Sequence, residues 1–290
     1  MNNLNYIVYP GNKTQFLPVI NNLVDSVKNS VSIFVEPFAG SGTVSLSIAP
    51  QFLYMILNDL DYYIFKIHEA FKYGSYEQLH EVIEEIWAFG NPEKIKEDYY
   101  TARTALNEKY HKTNTGNKEG FYYWAISTFA INSLMRFGPS GFNQGWGNRG
   151  VGRTAATRNM DENRFNEIHI AYRDIKLYNI DGFEWINIYE NNKQALIFVD
   201  PPYVDKGSGT YSFSNKQHKK LISLIKDCSN PIIYTDVFSE ELLASLGPKW
   251  KHKILRESMG SGKPGKTIKS KSAEAVYFNF EEKKNSIALF

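Results

Sequence analysis

Cysteine is almost missing from this chain: of its 290 residues only Cys228 carries a thiol. No internal disulfide can form and no thiolate metal cluster can be built, so a reducing cytoplasm is the expected compartment. Long apolar runs are missing too. No stretch approaches the roughly 18 apolar residues of a membrane-crossing helix. Residues 1–13 show no basic stretch leading into an apolar one, so no signal peptide is expected. A strong charge of either sign is absent. The net charge is +2, so an argument for a nucleic-acid partner must rest on where the charges sit. The histidines at 68, 80, 111, 169, 218 and 252 have no metal-ligand spacing to a second His or to the cysteine, and no metal is expected. No Gly-Lys-Ser/Thr makes a P-loop, and Gly40-Ser41-Gly42 lacks the spacing of a nucleophile elbow. Glu84-Glu85 and Glu240-Glu241 read as solvated helix faces.

What is present points to an α/β core. Hydrophobic residues make up 42% of the chain, enough to bury a sizeable interior. Its 19 Tyr and 19 Phe suit either a base-stacking protein or an aromatic-rich core. Short continuous apolar runs recur at Ser32–Glu36, Phe52–Leu57, Ala195–Val199, Pro231–Thr235 and Ala275–Phe280, with weaker runs at Lys251–Leu255 and Ile175–Ile180. Such runs read as strands covered on both faces. Helical periodicity lies between them, in Thr14–Lys28, Thr43–Ile48 and Lys216–Asp227. From about Tyr62 to Phe165 the strand signature disappears. Ile64–Trp87, Pro92–Lys109 and Phe121–Met135 look helical, and the last leads into a glycine-rich loop. An α/β core interrupted by a mainly helical insertion is expected.

Phe34–Thr43 (FVEPFAGSGT) is a buried strand entering a glycine turn and then a helix. Gly40 and Gly42 let backbone approach a ligand, and a helix N-terminus favours an anion. Asp59 follows the next strand at the spacing where α/β nucleotide folds hold ribose hydroxyls, although a helix cap is an alternative role. The most specific feature is Asp200-Pro201-Pro202-Tyr203, at the end of the run Ala195–Val199. Two prolines fix an extended backbone, leaving a carboxylate and a carbonyl as fixed acceptors beside an aromatic ring. That set suits a planar exocyclic amine, whose lone pair is delocalised. Hydrogen bonds to both N–H groups orient it and stabilise positive charge as it forms. Tyr203 is placed to stack on a flipped base.

These residues carry a family resemblance. The glycine turn, the Asn58-Asp59 step and DPPY resemble the motifs of amino-methyltransferases that use S-adenosylmethionine. Tyr9-Pro10-Gly11-Asn12-Lys13 resembles the opening motif of the Dam-like D12 class of N6-adenine-specific DNA methyltransferases, with Asn12 where a second glycine is common. Asn132–Gly147 resembles that family's target-recognition hairpin, with Gln144-Gly145-Trp146 in place of the usual Pro-Phe. The resemblance covers nearly the whole chain, in the family's order.

The resemblance implies a Rossmann-like S-adenosylmethionine-dependent methyltransferase sheet of seven strands, the last antiparallel. It implies a catalytic core over 1–62 and 165–290 and a target-recognition insertion over 63–164. The implied cofactor residues are Tyr9, Gly11, Lys13, Glu36, Phe38, Gly40, Gly42, Asp59, Asp181 and Asp200. Lys13 also reads as a surface lysine, and Asp181 as a turn residue before Gly182. Asp200, Pro201, Pro202 and Tyr203 are implied as catalytic. Arg136, Phe142, Asn143, Arg149, Arg153 and Arg158 are implied to contact double-stranded DNA. From Arg136 to Met160 there are four arginines and no acidic residue, which suits phosphate and base-edge contacts. The loop Ser258–Ser272, with Lys263, Lys266, Lys269 and Lys271, reads either as a phosphate contact or as a simple connection. The implied target is adenine N6 at GATC or a related short site, and the implied enzyme is a bacterial or phage-encoded cytoplasmic monomer. Cytosine N4, RNA adenine or protein glutamine as substrate, and a catalytically silent DNA-binding relative, are the alternatives.

Overall fold

The computed structural model describes residues 4, 6–7, 11–88, 95–131, 134–147, 160–203, 213–258 and 272–283. Its strands are β1 (Ile33–Glu36), β2 (Tyr54–Asn58), β3 (Phe137–Gly138), β4 (Gly141–Phe142), β5 (Ile175–Tyr178), β6 (Ala195–Val199), β7 (Ile232–Val237), β8 (Lys251–Ser258) and β9 (Ser272–Phe278). Seven of them form one sheet in the order β5-β2-β1-β6-β7-β9-β8. The pairs β1–β2, β1–β6 and β6–β7 are parallel. The last strand, β9, lies antiparallel between β7 and β8. This is the expected Rossmann-like methyltransferase sheet. All five residues of β6 are buried, as a parallel strand covered on both faces requires.

The helices are α1 (Leu17–Val27), α2 (Thr43–Ile48), α3 (Tyr62–Tyr73), α4 (Tyr76–Ala88), α5 (Ile95–Tyr110), α6 (Asn117–Thr128), α7 (Glu162–Tyr172), α8 (Gly182–Tyr189), α9 (Asn215–Lys226) and α10 (Glu240–Leu246). Among the described residues no helix is long and apolar enough to cross a membrane. Two sequence expectations need correcting. The single helix expected over Ile64–Trp87 is broken between α3 and α4 at Gly74-Ser75. A Cβ on Gly74 would sit 2.6 Å from the Ala70 carbonyl and from the Phe121 ring, so the chain turns where only glycine fits. The helix expected over Phe121–Met135 spans Asn117–Thr128 instead, and Ala130 already pairs with Trp146.

The chain divides into two compact units: 1–14 with 40–49 and 59–179, and 15–39 with 50–58 and 180–290. The first is built on an aromatic interior. Phe71 packs against Phe121, Trp124 and Phe165 with ring centroids 5.4–5.7 Å apart, which locks α3, α6 and α7 together. The second holds β1, β2 and β6 to β9. There the chain leaves β1 for β2 on one side and β6 for β7 on the other. The carboxyl ends of β1 and β6 therefore flank a topological switch point, where open α/β sheets bind ligands.

Candidate active site

In the first unit, the glycine turn is left-handed at Gly40 (φ +50°) and Gly42 (φ +65°), which a side chain would strain. Asp59 ties this turn down: one carboxylate oxygen accepts from the Gly40 amide at 2.7 Å and the other from the Asp61 amide at 2.8 Å. Asp61, not Asp59, caps α3, accepting from Tyr63 and Ile64. Burial lifts the Asp59 carboxyl to about 7, against the pull of those amides. On its other side, the Gly40 carbonyl accepts from Nε2 of the buried His68 at 2.9 Å. In the opening segment, Lys13 is no surface lysine: it is buried, and its ammonium donates to the Gly11 carbonyl at 2.7 Å. Gly11 has φ +82° and open space where a Cβ would stand. Tyr9 lies outside the described residues.

In the second unit, Asn58 joins two loops: its amide donates to the Pro37 carbonyl at 2.8 Å and the Ile180 carbonyl at 3.0 Å, and its oxygen accepts from the Ile180 amide. Glu36 is buried at the end of β1. Phe38 meets Phe183 and Phe213 edge-on, with centroids 6.1 and 6.2 Å away, while Phe183 and Phe213 lie near-parallel at 8°. Only glycine fits at 182, since a Cβ there would lie 2.6 Å from the Phe38 ring and 2.8 Å from the Pro37 carbonyl. Asp181 caps α8 by accepting from the Phe183 amide at 3.0 Å.

Asp200 follows β6 directly and accepts a hydrogen bond from the Thr235 hydroxyl of β7. Pro201 is buried. The Tyr203 hydroxyl donates to the Glu274 carboxylate of β9. Burial, with the negative charge of Asp200 beside it, raises the Tyr203 phenol, so it stays protonated. Beneath them Asp236 accepts from the Tyr234 hydroxyl and from His218 Nε2, the latter at 2.8 Å. Side chains from two neighbouring strands thus fix the carboxylate and the ring of the DPPY segment.

The hairpin β3–β4, in the first unit, pairs Phe137 with Phe142 and Gly138 with Gly141. Arg136 and Asn143 are exposed, and the Asn143 amide donates to the Arg136 carbonyl at 2.9 Å. Phe142 is buried, so its ring shapes the hairpin from inside. The Asn107 side chain clamps Phe142 through both backbone groups at 3.0 Å each, and it receives the Tyr122 hydroxyl. Tyr99 and Arg103 both donate to the Gln144 carbonyl, at 3.0 and 3.1 Å. The unusual Gln144-Gly145-Trp146 is thus held by its backbone. Arg149, Arg153, Arg158 and the lysines 263, 266, 269 and 271 lie outside the described residues.

Reading the sequence missed Asn58's own role, His68, Asn107, Phe183, Phe213, Thr235 and Glu274. Only Phe183 left a local signal, two residues after Asp181; the others act across strands and helices distant in sequence. Among the described residues no cluster of three or more His, Cys, Asp or Glu side chains could hold a metal.

Residues 9–259 match the family model for the D12 class N6 adenine-specific DNA methyltransferase. The Type II methyltransferase M.CviBI of Paramecium bursaria Chlorella virus NC1A is 25% identical over 268 residues, which cover 90% of this chain and 95% of the viral protein.

Proposed function

Because the chain belongs to the D12 class of N6-adenine-specific DNA methyltransferases, we propose that it uses S-adenosylmethionine to methylate adenine N6 in double-stranded DNA, at GATC or a related short site, after flipping the base. The observation that carries this reading is Asp200-Pro201-Pro202-Tyr203 at the carboxyl end of the fully buried β6, with Asp200 held by Thr235 and Tyr203 by Glu274.

The donor supplies a methyl group on a cationic sulfur, and direct displacement there calls for no metal. The residues present fit such a donor: a left-handed glycine turn, a carboxylate on that turn, and a buried ammonium. Gly11, Gly40 and Gly42 let the backbone approach it, and Asp59 accepts from its ribose hydroxyls. Lys13 pairs with its carboxylate, and Tyr9 is assigned to the cofactor as well. Phe38 gives an apolar ring to the cofactor, Asp181 accepts from its adenine amino group, and Glu36 is assigned to the cofactor as well.

Asp200 and the Pro201 carbonyl accept the two N–H groups of the target amine. They orient it and stabilise the charge that develops on nitrogen. Pro202 keeps the segment extended, and Tyr203, its ring angle set by Glu274, stacks on the extruded base. Residues 63–164 form the recognition insertion. Arg136 and Asn143 face the DNA from a hairpin shaped by Phe142, and Arg149, Arg153 and Arg158 contact phosphate. The enzyme works as a cytoplasmic monomer, bacterial or phage-encoded. The Type II name of its viral relative favours a role in restriction-modification over chromosomal marking.

The test incubates the purified protein with methyl-labelled S-adenosylmethionine and unmethylated genomic DNA, then maps modified bases. Label on adenine N6 within one short motif, abolished by Asp200→Ala, is the expected result. Label on cytosine, or none on DNA while RNA or a protein amide is labelled, replaces the substrate. S-adenosylmethionine binding without any transfer leaves a silent DNA-binding relative.

A further inference from the structure

His68 takes no part in the chemistry above, yet it is fully buried on α3, in the same unit as the glycine turn. Its Nε2 lies 2.9 Å from the Gly40 carbonyl, and its Nδ1 is hydrogen-bonded to the Tyr172 hydroxyl of α7. That hydroxyl is 2.6 Å from the hydroxyl of Tyr6. The Tyr6 carbonyl in turn accepts from the Trp124 indole of α6 at 2.8 Å.

The proton on the imidazole follows from its partners. A carbonyl can only accept, so Nε2 carries the hydrogen. Burial lowers the imidazole to about 4, so the ring is neutral at pH 7 and Nδ1 accepts from Tyr172. The Tyr172 oxygen then accepts from Tyr6. The network runs from the opening segment through α7 and α3 to the glycine turn, and the Tyr6 hydroxyl also lies 3.4 Å from Nδ1. Gly40 is held from both sides, its amide by Asp59 at 2.7 Å and its carbonyl by His68.

We infer that His68 is a positioning residue for S-adenosylmethionine, fixing the left-handed Gly40 through a buried hydrogen-bond network shared with Tyr172 and Tyr6. This rests on the reading that the glycine turn binds the cofactor. The network also ties that turn to Tyr6, in the opening segment of the chain. The two peptide groups that flank Gly40 are thus prearranged before the ligand arrives, which removes an ordering cost from binding.

The test measures S-adenosylmethionine binding by calorimetry, without DNA, in the full-length wild type, His68→Leu, His68→Gln and Tyr172→Phe. Wild-type binding is the control: if the wild type binds no S-adenosylmethionine, the cofactor reading itself fails. Given wild-type binding, His68→Leu, which strands a half-buried carbonyl, is expected to weaken affinity about tenfold or more. It should raise KM for the cofactor while kcat at saturating cofactor changes much less. His68→Gln, whose amide can still donate to Gly40, should regain most of the loss, which a general loss of packing would not allow. Should His68→Leu fail to fold, Tyr172→Phe, which removes only a hydroxyl, carries the test with an expected loss of a few-fold. Wild-type affinity in both His68→Leu and Tyr172→Phe would overturn the inference, as would a glutamine variant no better than leucine.

Discussion

At the scale of single residues, the site is set by groups that satisfy backbone atoms rather than by isolated charges. Asp59 is the clearest case, because its carboxylate serves two amides and is nevertheless pushed up to about 7 by burial. The consequence for stability has a definite sign. The folded protein holds this proton more tightly than the unfolded chain, whose value is near 3.8. The contribution is therefore most favourable below 3.8, declines as pH rises towards about 7, and is constant above that. Asp59→Asn cannot titrate. The wild type minus variant difference in unfolding free energy, measured across that window, should fall with rising pH. A flat difference would show that burial does not perturb this carboxyl.

At the scale of elements, the β3–β4 hairpin is too short to stand alone. Its two strands have two residues each, far below what is stable in isolation. Helices hold it: α5 supplies Asn107, Tyr99 and Arg103, and α3 supplies Tyr63, whose ring stacks on Phe137 at 3.5 Å. A Cβ on Gly141 would lie 2.6 Å from Asn107, so the glycine is what lets the clamp close. Asn107→Ala removes both partners of the Phe142 backbone. It is expected to cost about 1–3 kcal/mol locally, speed hydrogen exchange at the Phe142 amide, and blunt discrimination between DNA sites while leaving cofactor binding intact. Unchanged exchange at Phe142 would show that the ring's burial, not the amide clamp, holds the hairpin. The helix boundaries here were poorly legible in the sequence. The break at Gly74-Ser75 has a local signal that the periodicity hid: Ser75 and Gln78 cap α4 reciprocally, at 3.2 and 3.4 Å, while Phe121 leaves room only for glycine at 74.

At the scale of the molecule, a net charge of +2 leaves DNA attraction to local concentration of charge. The segment from Arg136 to Met160 holds four arginines and no carboxylate. If these neutralise about four phosphates, affinity for DNA should fall roughly a hundredfold between about 50 and 200 mM salt. A fluorescence titration across that range measures the slope. A slope near zero would remove these arginines from the interface.

The seven strand positions and the glycine turn with its acidic step could be read before any coordinates. So could DPPY, because each is written in contiguous residues: a continuous apolar run for a doubly covered strand, glycine where φ is positive, proline where the chain must stay extended. Only the tertiary structure decided which side chains support them. Thr235 reaches Asp200 from the neighbouring strand, Glu274 reaches Tyr203 from the antiparallel one, and His68 reaches Gly40 from a helix 28 residues away. The physical reason is that a buried polar atom needs a partner within about 3 Å, and which residue satisfies it is settled by strand register and helix packing. Neither is local in sequence.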